Sequence, residues 1–378
     1  MKYCKVCLQN NYRPNTRFSK NGICPACIYY DLIKNEDWNL RFKVLKNIIS
    51  KYKSKKNEFN CIVGVSGGKD STRQALWVRD KLGLKPLLAC LTYPPEQISI
   101  RGTNNISNLI NLGFDVVTFS PGPLTWQMLM RLSFLKFCNW AKSTELALFS
   151  FVPQLAIRYQ IPLIFWGENP GLQLGDLKSK SKFGYDGKNL RYLNTLDGGR
   201  LSWITKKIAN NHNLFPYTYP SVDEFKKNKI KIIYLGWFLG DWSLKNNAYN
   251  SIANGLEIRE SKYKNYGDLY RVTSLDEDWV TINQLIKYYK YGFGRATDYI
   301  NEDIRVGNLT REDGIKIVKK YDAKFSKKLI KSFCDYINIT PTKFWNVVKS
   351  NLNKKLFFIK KNKIIPKFKV GEDFYCKY

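Results

Sequence analysis

The sequence predicts an α/β fold: a doubly wound parallel sheet, preceded by a small cysteine-built module and followed by a mostly helical region. Three observations carry that expectation. Short apolar or β-branched runs alternate with helix-period segments between Cys61 and Trp166, the pattern of strands joined by helical crossovers. Two C-x2-C pairs lie at the N-terminal end, and beyond Asp241 apolar residues recur mainly at helical spacing.

Cys4, Cys7, Cys24 and Cys27 form two C-x2-C pairs with sixteen residues between them, a spacing suited to a four-thiolate zinc site. Each pair needs a tight turn to aim two sulfurs at one ion, and Asn21-Gly22 supplies turn chemistry before the second. Four thiolates leave no open coordination position, so the expectation is a structural zinc ribbon over residues 1–35. A helix follows over Asp37–Lys53, with Trp38, Phe42, Leu45, Ile48 and Ile49 on one side. Strands are expected at Cys61–Val65, Pro86–Thr92, Asp115–Phe119 and Ile161–Trp166, with helices at Thr72–Leu82 and Asn104–Leu112 between them. A fifth strand is expected at Ile230–Trp237, after an insertion near 175–229 that resists assignment. Helices are then expected at Trp279–Lys290, Arg311–Tyr321, Lys324–Tyr336 and Pro341–Leu352. The domain expectation is a ribbon at 1–35, a nucleotide-binding domain at 36–240 and a mostly helical domain for substrate or partner at 241–378.

The chain has 378 residues with 44% apolar content and a mean hydropathy of −0.37, enough for a core and for two or three domains. Lys+Arg total 62 against 31 Asp+Glu, a net charge of +31, which suits anionic partners. The lysine runs at Lys51–Lys56, Lys178–Lys182 and Lys349–Lys363 are rich in asparagine, so composition bias gives an equal account of the excess. No stretch approaches the ~20 apolar residues of a membrane span, and the N-terminus offers no signal-peptide core; both point to a cytoplasmic protein. Nine cysteines in such a chain read as metal ligands and core thiols rather than a disulfide scaffold.

The first strand runs directly into Ser66-Gly67-Gly68-Lys69-Asp70-Ser71 and a helix. Two glycines let the backbone approach an anion, and the helix start presents N–H groups to it. This is a phosphate cradle without Walker A spacing, since the second glycine counted from Gly64 would fall at Lys69. Asp70 beside phosphates needs a cation between them, so it reads as a magnesium or outer-sphere group. Strand ends place Thr92, Ser120 and Gly167-Glu168-Asn169 with the loop at the sheet's carboxyl edge, where open α/β sheets bind ligands. Glu168 either caps the following turn or binds metal, ammonia or substrate hydroxyls.

At Ser66–Ser71 the chain resembles the PP-loop ATP pyrophosphatases, whose fingerprint is S-G-G-x-D-S. The resemblance implies that ATP is split between its α and β phosphates, with Ser66, Gly67, Gly68, Lys69, Asp70, Ser71 and Thr92 at the nucleotide and Mg2+ alongside. Three more segments, Phe165-Trp166-Gly167-Glu168-Asn169-Pro170, Tyr234-Leu235-Gly236-Trp237 and Gly292-Phe293-Gly294-Arg295-Ala296-Thr297-Asp298, narrow it. Together with Ile304–Gly314 and the cysteine pairs they look like the bacterial N-acetyl sugar amidotransferases of surface-polysaccharide and nonulosonic-acid biosynthesis. That family converts an acetamido to an acetamidino group through an O-adenylyl imidate. The resemblance implies catalytic roles for Lys69, Asp70 and Glu168, and substrate contacts from Glu168, Asn169, Arg295 and Asp298. Arg295 and Asp298 read equally as a capped helix start with an ion pair. The stretch Asn139–Glu145, with Lys142, reads as a helix start at Ser143 or Thr144 that is either an anion site or an ordinary cap. Where the family often carries an acid at the tip of strand two, this chain has Thr92-Tyr93-Pro94-Pro95.

Ammonia is not expected to come from this chain. Residue 2 is Lys, no cysteine sits in G-x-C-x-G, and the sole histidine, His212, lies among asparagines as a surface residue. A separate glutaminase, with an ammonia-channelling subunit, is the expected partner. The competing expectation is a tRNA-thiolating enzyme, which the net charge favours. It needs a reactive cysteine, whereas Cys61 and Cys90 fall in strands and Cys138 and Cys334 are single residues in helical patterns. A non-catalytic nucleic-acid-binding protein leaves the loop unexplained.

Overall fold

A computed structural model of the chain describes residues 1–52, 58–169, 171–172, 180–181, 184–185, 187–192 and 196–375. Pro170, much of the lysine runs at 51–56 and 178–182, and residues 175–179 of the expected insertion lie outside the described residues.

The chain opens on a knuckle in which the Cys4 N–H donates to the Gln9 carbonyl at 2.8 Å and Tyr3 bridges Asn10. Helices α1 (Pro25–Leu32) and α2 (Trp38–Ser50) follow; α2 starts where the Asp37 carboxylate accepts from the Leu40 N–H. Then come β1 (Cys61–Gly64), α3 (Lys69–Asp80), β2 (Pro86–Leu91), α4 (Ile100–Asn111), β3 (Val116–Phe119), α5 (Pro123–Phe137), α6 (Ala141–Tyr159) and β4 (Leu163–Trp166). The expected insertion contains a short hairpin, β5 (Lys180–Ser181) with β6 (Gly184–Tyr185), and helices α7 (Lys206–Asn211) and α8 (Val222–Lys227) before β7 (Lys231–Tyr234). The remainder comprises α9 (Leu244–Ala253), α10 (Val280–Tyr291), α11 (Arg295–Arg305), α12 (Arg311–Tyr321), α13 (Lys327–Tyr336), α14 (Pro341–Ser350) and a hairpin, β8 (Phe357–Lys360) with β9 (Lys363–Pro366).

The main sheet has five parallel strands in the order β3-β2-β1-β4-β7. Ile62, Val63, Leu88, Ile164, Phe165 and Ile232 are fully buried, as expected for strands covered by helices on both faces. The order reverses between β1 and β4, so loops leaving those strands diverge and open a crevice at their carboxyl ends.

Three departures from the sequence reading have local causes. Helix α4 begins at Ile100, four residues early, because the Ser99 hydroxyl accepts from the Gly102 N–H at 3.0 Å. Helix α5 was not expected at all; Trp126, Leu129, Met130 and Phe134 are buried, yet other apolar residues around it blur its period. Helix α6 begins at Ala141, so Ser143 and Thr144 are not caps: their hydroxyls donate to the carbonyls of Trp140 and Ala141. Lys142 lies over the Phe137 ring at 5.1 Å and is buried.

Contacts cross the expected boundaries at 35 and 240. The Leu8 N–H donates to Asn301 Oδ1 at 2.8 Å, and Leu8 packs with Ile300 and Val318. Helix α9 docks on α3, where the Ser251 hydroxyl donates to the Lys69 carbonyl at 2.6 Å.

Arg259 organises the segment Asp268–Asp278. Its side chain is 1% exposed, lies 2.8 Å from Asp268 Oδ2 and 3.1 Å from Asp278 Oδ1, and also donates to the carbonyls of Thr273, Ser274 and Glu277. Arg259→Ala leaves the buried Asp268 carboxylate without its cation and strands three carbonyls, while Asp278 keeps Arg101 at 2.7 Å. It is expected to destabilise the protein by about 3–5 kcal/mol, measured by denaturant unfolding.

Candidate active site

The turn after β1 is built from the sequence upward. Gly67 adopts φ +70°, a conformation disfavoured for other residues, and Gly68 is the N-cap of α3 with no side chain capping it. The first-turn N–H groups of α3 therefore have no intrahelical acceptor and present partial positive charge. The Ser71 hydroxyl donates to the Gly68 carbonyl at 3.1 Å and accepts from the Ser66 N–H at 3.4 Å, closing the turn.

Lys69 is buried, and its Nζ lies 2.6 Å from Asp70 Oδ2. Asp70 Oδ1 accepts from Asn247 Nδ2 at 2.6 Å. Across the switch point, β4 ends against this turn: a Cβ at Gly167 would stand 3.2 Å from the Asp70 carbonyl oxygen. That approach brings Glu168 beside the loop. Burial, then the charges of Asp70 and Glu145, push its carboxyl up to about 7, with Lys69 opposing.

Ser66, Gly68, Lys69, Asp70, Ser71, Glu168, Arg295 and Asp298 line one cavity of 540 Å³. Thr92 does not: its hydroxyl faces the Phe119 carbonyl at 3.4 Å, and Tyr93 takes the cavity position. Gly67 shapes the turn without lining the cavity. Asn169 is 1% exposed; it donates to the Gly236 carbonyl at 2.9 Å and accepts from the Leu172 N–H, so it clasps the β4 exit to the turn after β7. Asp298 accepts from both Arg13 and Lys287, which hold its carboxyl well below the usual range against the effect of burial. His212 sits away from the cavity, its Nδ1 3.0 Å from the Thr125 hydroxyl.

Several cavity residues escaped the sequence reading. Gln9, Arg13 and Thr16 come from the N-terminal ribbon, Asn247 from α9, Glu145 from α6, Glu302 from α11, and Asp276 and Glu277 from the segment held by Arg259. Glu277 is 1% exposed, its Oε2 has no hydrogen-bond partner among the described residues, and burial pushes its carboxyl up to about 8. The run Asp276-Glu277-Asp278 in so basic a chain was its available signal; nothing marked Arg13 or Asn247.

The sulfurs of Cys4, Cys7, Cys24 and Cys27 all lie within 4.8 Å of one another, with Cys4–Cys27 at 3.9 Å and Cys7–Cys24 at 3.7 Å. Four sulfurs at the usual zinc–sulfur length would be about 3.8 Å apart. The N–H groups of Val6 and Cys24 point at the Cys4 sulfur, and that of Gln9 at Cys7, an environment suited to thiolates. The tetrad fits a tetrahedral ion. Among the described residues no other group of three or more metal-binding side chains converges this way, and no helix is long and apolar enough to cross a membrane.

Residues 260–373 match a family model described as LPS biosynthesis protein WbpG-like, C-terminal domain, which spans under a third of the chain. No curated protein matches. Among solved structures, NMN synthetase from Francisella tularensis is 13% identical over 82% of this chain and 97% of its own, with a TM-score of 0.34. The U34-tRNA thiolase NcsA from Methanococcus maripaludis with its [4Fe-4S] cluster is 14% identical over 82% and 87%, TM-score 0.30. A predicted subunit of tRNA methyltransferase from Methanocaldococcus jannaschii is 11% identical over 51% and 74%, TM-score 0.27.

Two outcomes are expected. Purified protein should contain about one zinc per chain, and Cys4→Ser or Cys24→Ser should lose it along with thermal stability; elemental analysis and calorimetry check this. Because the Glu168 carboxyl is raised from 4.5 to about 7, the folded state binds more protons than the unfolded state between those values, so stability falls as pH rises through that window. Glu168→Gln should flatten that fall by an amount of order 1–3 kcal/mol, read from denaturation at pH 5 and pH 8.

Proposed function

We propose that this chain is an ATP-dependent amidotransferase that converts the acetamido group of an N-acetyl sugar, free or nucleotide-linked, to an acetamidino group. The observation that carries the reading is the uncapped glycine turn Ser66–Ser71 at the β1/β4 switch point, with Glu168 brought against it inside one cavity. The match of residues 260–373 to a lipopolysaccharide-biosynthesis domain supports a sugar precursor as substrate.

The reaction proceeds in two displacements. The amide oxygen attacks the α phosphorus of ATP and the bond to the β-phosphate oxygen breaks, releasing pyrophosphate and leaving an O-adenylyl imidate. Ammonia then adds to the imidate carbon, AMP leaves with the former amide oxygen, and the amidine remains. Amide carbonyls are weak electrophiles, and adenylation turns their oxygen into a good leaving group. The first-turn N–H groups of α3 and the Lys69 ammonium stabilise charge on the departing pyrophosphate. Magnesium, ligated by the phosphates and by Asp70, would supply further charge neutralisation. Asn247 and Lys69 fix the Asp70 carboxylate for that task. Glu168, with its carboxyl near 7, is matched to accept the proton that the attacking ammonia must lose. The cysteine tetrad, closed to a fifth ligand, would hold its metal as a fold element.

A thiolase would need an accessible low-pKa cysteine. Among the described residues outside the tetrad, Cys61, Cys90, Cys138 and Cys334 are all buried, and burial raises each thiol, Cys138 and Cys334 to about 11; Cys376 lies outside the described residues. Ammonia is read as the product of a separate glutaminase.

With ATP, Mg2+, ammonium and an N-acetyl sugar nucleotide, the products should be AMP, pyrophosphate and a sugar about one dalton lighter, resolved by chromatography and mass spectrometry. Asp70→Ala or Ser66→Ala should slow turnover about a hundredfold or more, near 2.7 kcal/mol of transition-state stabilisation. ADP as the main product, or efficient use of glutamine by the chain alone, would count against the reading.

A further inference from the structure

Where the ribbon meets the start of α11, the cavity has a second cationic wall. Asp298 is held between Arg13 and Lys287, and both cations stack on Phe293, at 4.4 Å and 5.0 Å from the ring centre. Arg13 Nε donates to Gln9 Oε1 at 2.6 Å, so this guanidinium is fixed along two edges. Its remaining amino group has no partner among the described residues.

Arg295 opens α11. Its guanidinium packs over the Tyr299 ring at 5.9 Å, and among the described residues no carboxylate forms a salt bridge with it. The nearby Asp322 is taken up by the helix start, accepting from the N–H groups of Gly294 and Ala296 and from the Thr297 hydroxyl. Arg13 and Lys287 thus share the Asp298 carboxylate, and Arg295 adds a third cation beside them. The two guanidinium groups with free donors line the cavity.

This wall is distinct from the phosphate cradle. Arg295 opens α11 and Glu302 stands seven residues later, about 10 Å along its axis, and among the described residues no ion pair or hydrogen bond joins Arg295 to Lys69 or Asp70. An anion at Arg295 would therefore be a different group from the phosphates in the loop.

We propose that Arg13 and Arg295 form a second anion subsite, which takes a carboxylate or phosphate substituent of the co-substrate, while Asp298 and Lys287 position Arg13. The proposal rests on the reading that a co-substrate shares the cavity with ATP. Guanidinium groups suit either anion because their planar donors can engage two oxygens at once. It also reassigns Asp298, which the sequence marked as a substrate contact, to a positioning role.

The test uses the full chain with its loop filled by α,β-methylene-ATP and Mg2+. Binding of N-acetylneuraminate, UDP-N-acetylglucosamine and uncharged N-acetylglucosamine is followed by calorimetry and thermal shift. At least one charged probe should bind at least tenfold more tightly than the neutral sugar, and whichever binds distinguishes a carboxylate from a phosphate source. Its affinity should fall tenfold or more in Arg295→Gln and in Arg13→Gln, with partial recovery in Arg295→Lys. In the unliganded protein Arg295→Gln should raise the melting temperature, because it removes an unpaired cation beside two others. No binding of either charged probe, equal binding by the variants, or a lowered melting temperature in Arg295→Gln would each overturn the subsite. Arg295-dependent binding in a protein that releases no AMP would keep the subsite and reject the amidotransferase chemistry.

Discussion

One polar junction holds the wall of the cavity at the glycine turn together: the side chain of Asn247, set between α9 and α3. Its Nδ2 donates to Asp70 Oδ1 at 2.6 Å and its Oδ1 accepts from Arg73 at 2.5 Å, while Arg73 also pairs with Asp241 at 2.6 Å. Asn247 is 1% exposed and its bond to Arg73 is buried, so losing either partner leaves a polar group there without one; Asp241, at the outer end of these bonds, is exposed. The glycine turn by itself leaves Asp70 free to rotate. The junction selects one orientation and ties it to a helix more than 170 residues away, which also brings the rest of the C-terminal region over the cavity.

The N-terminal ribbon follows a related logic. Its few apolar residues cannot bury themselves alone, and Leu8 is instead packed against Ile300 and Val318. Arg305 at the end of α11 lies among the sulfurs of the tetrad and donates to the Leu172 carbonyl at 3.1 Å, so a cation stands beside the thiolate charge. A module that reads as a separate metal-stapled domain becomes a cavity wall, contributing Gln9, Arg13 and Thr16.

Charge is unevenly distributed around the cavity. Lys69 stands at the phosphate turn and Arg13 and Arg295 at the ribbon. Glu145, Glu168, Asp276 and Glu277 lie elsewhere on the lining, with several carboxyls raised by burial and by one another. Asp70 and Asp298 sit directly on the cations Lys69 and Arg13, so the lining alternates paired charges with carboxyls raised by burial.

The sequence by itself determined the features that depend on neighbouring residues. The S-G-G-K-D-S turn, the cysteine spacing and the buried runs of β1, β2 and β4 each write their geometry into a few consecutive positions, and the structure places them accordingly. Some elements carry weak local signals. Pro153 sits inside α6, and the β8–β9 hairpin turns on Lys361 and Asn362, both at positive φ, without the glycine that usually announces such a turn. Only the tertiary structure decided which polar groups meet. Arg13 reaches Asp298 across 285 positions and Asn247 reaches Asp70 across 177, and Glu277 enters the cavity because Arg259 folds its segment there. No periodicity encodes such pairs: an arginine or asparagine has the same local preferences whether it faces water or a buried carboxylate, and burial alone makes the difference.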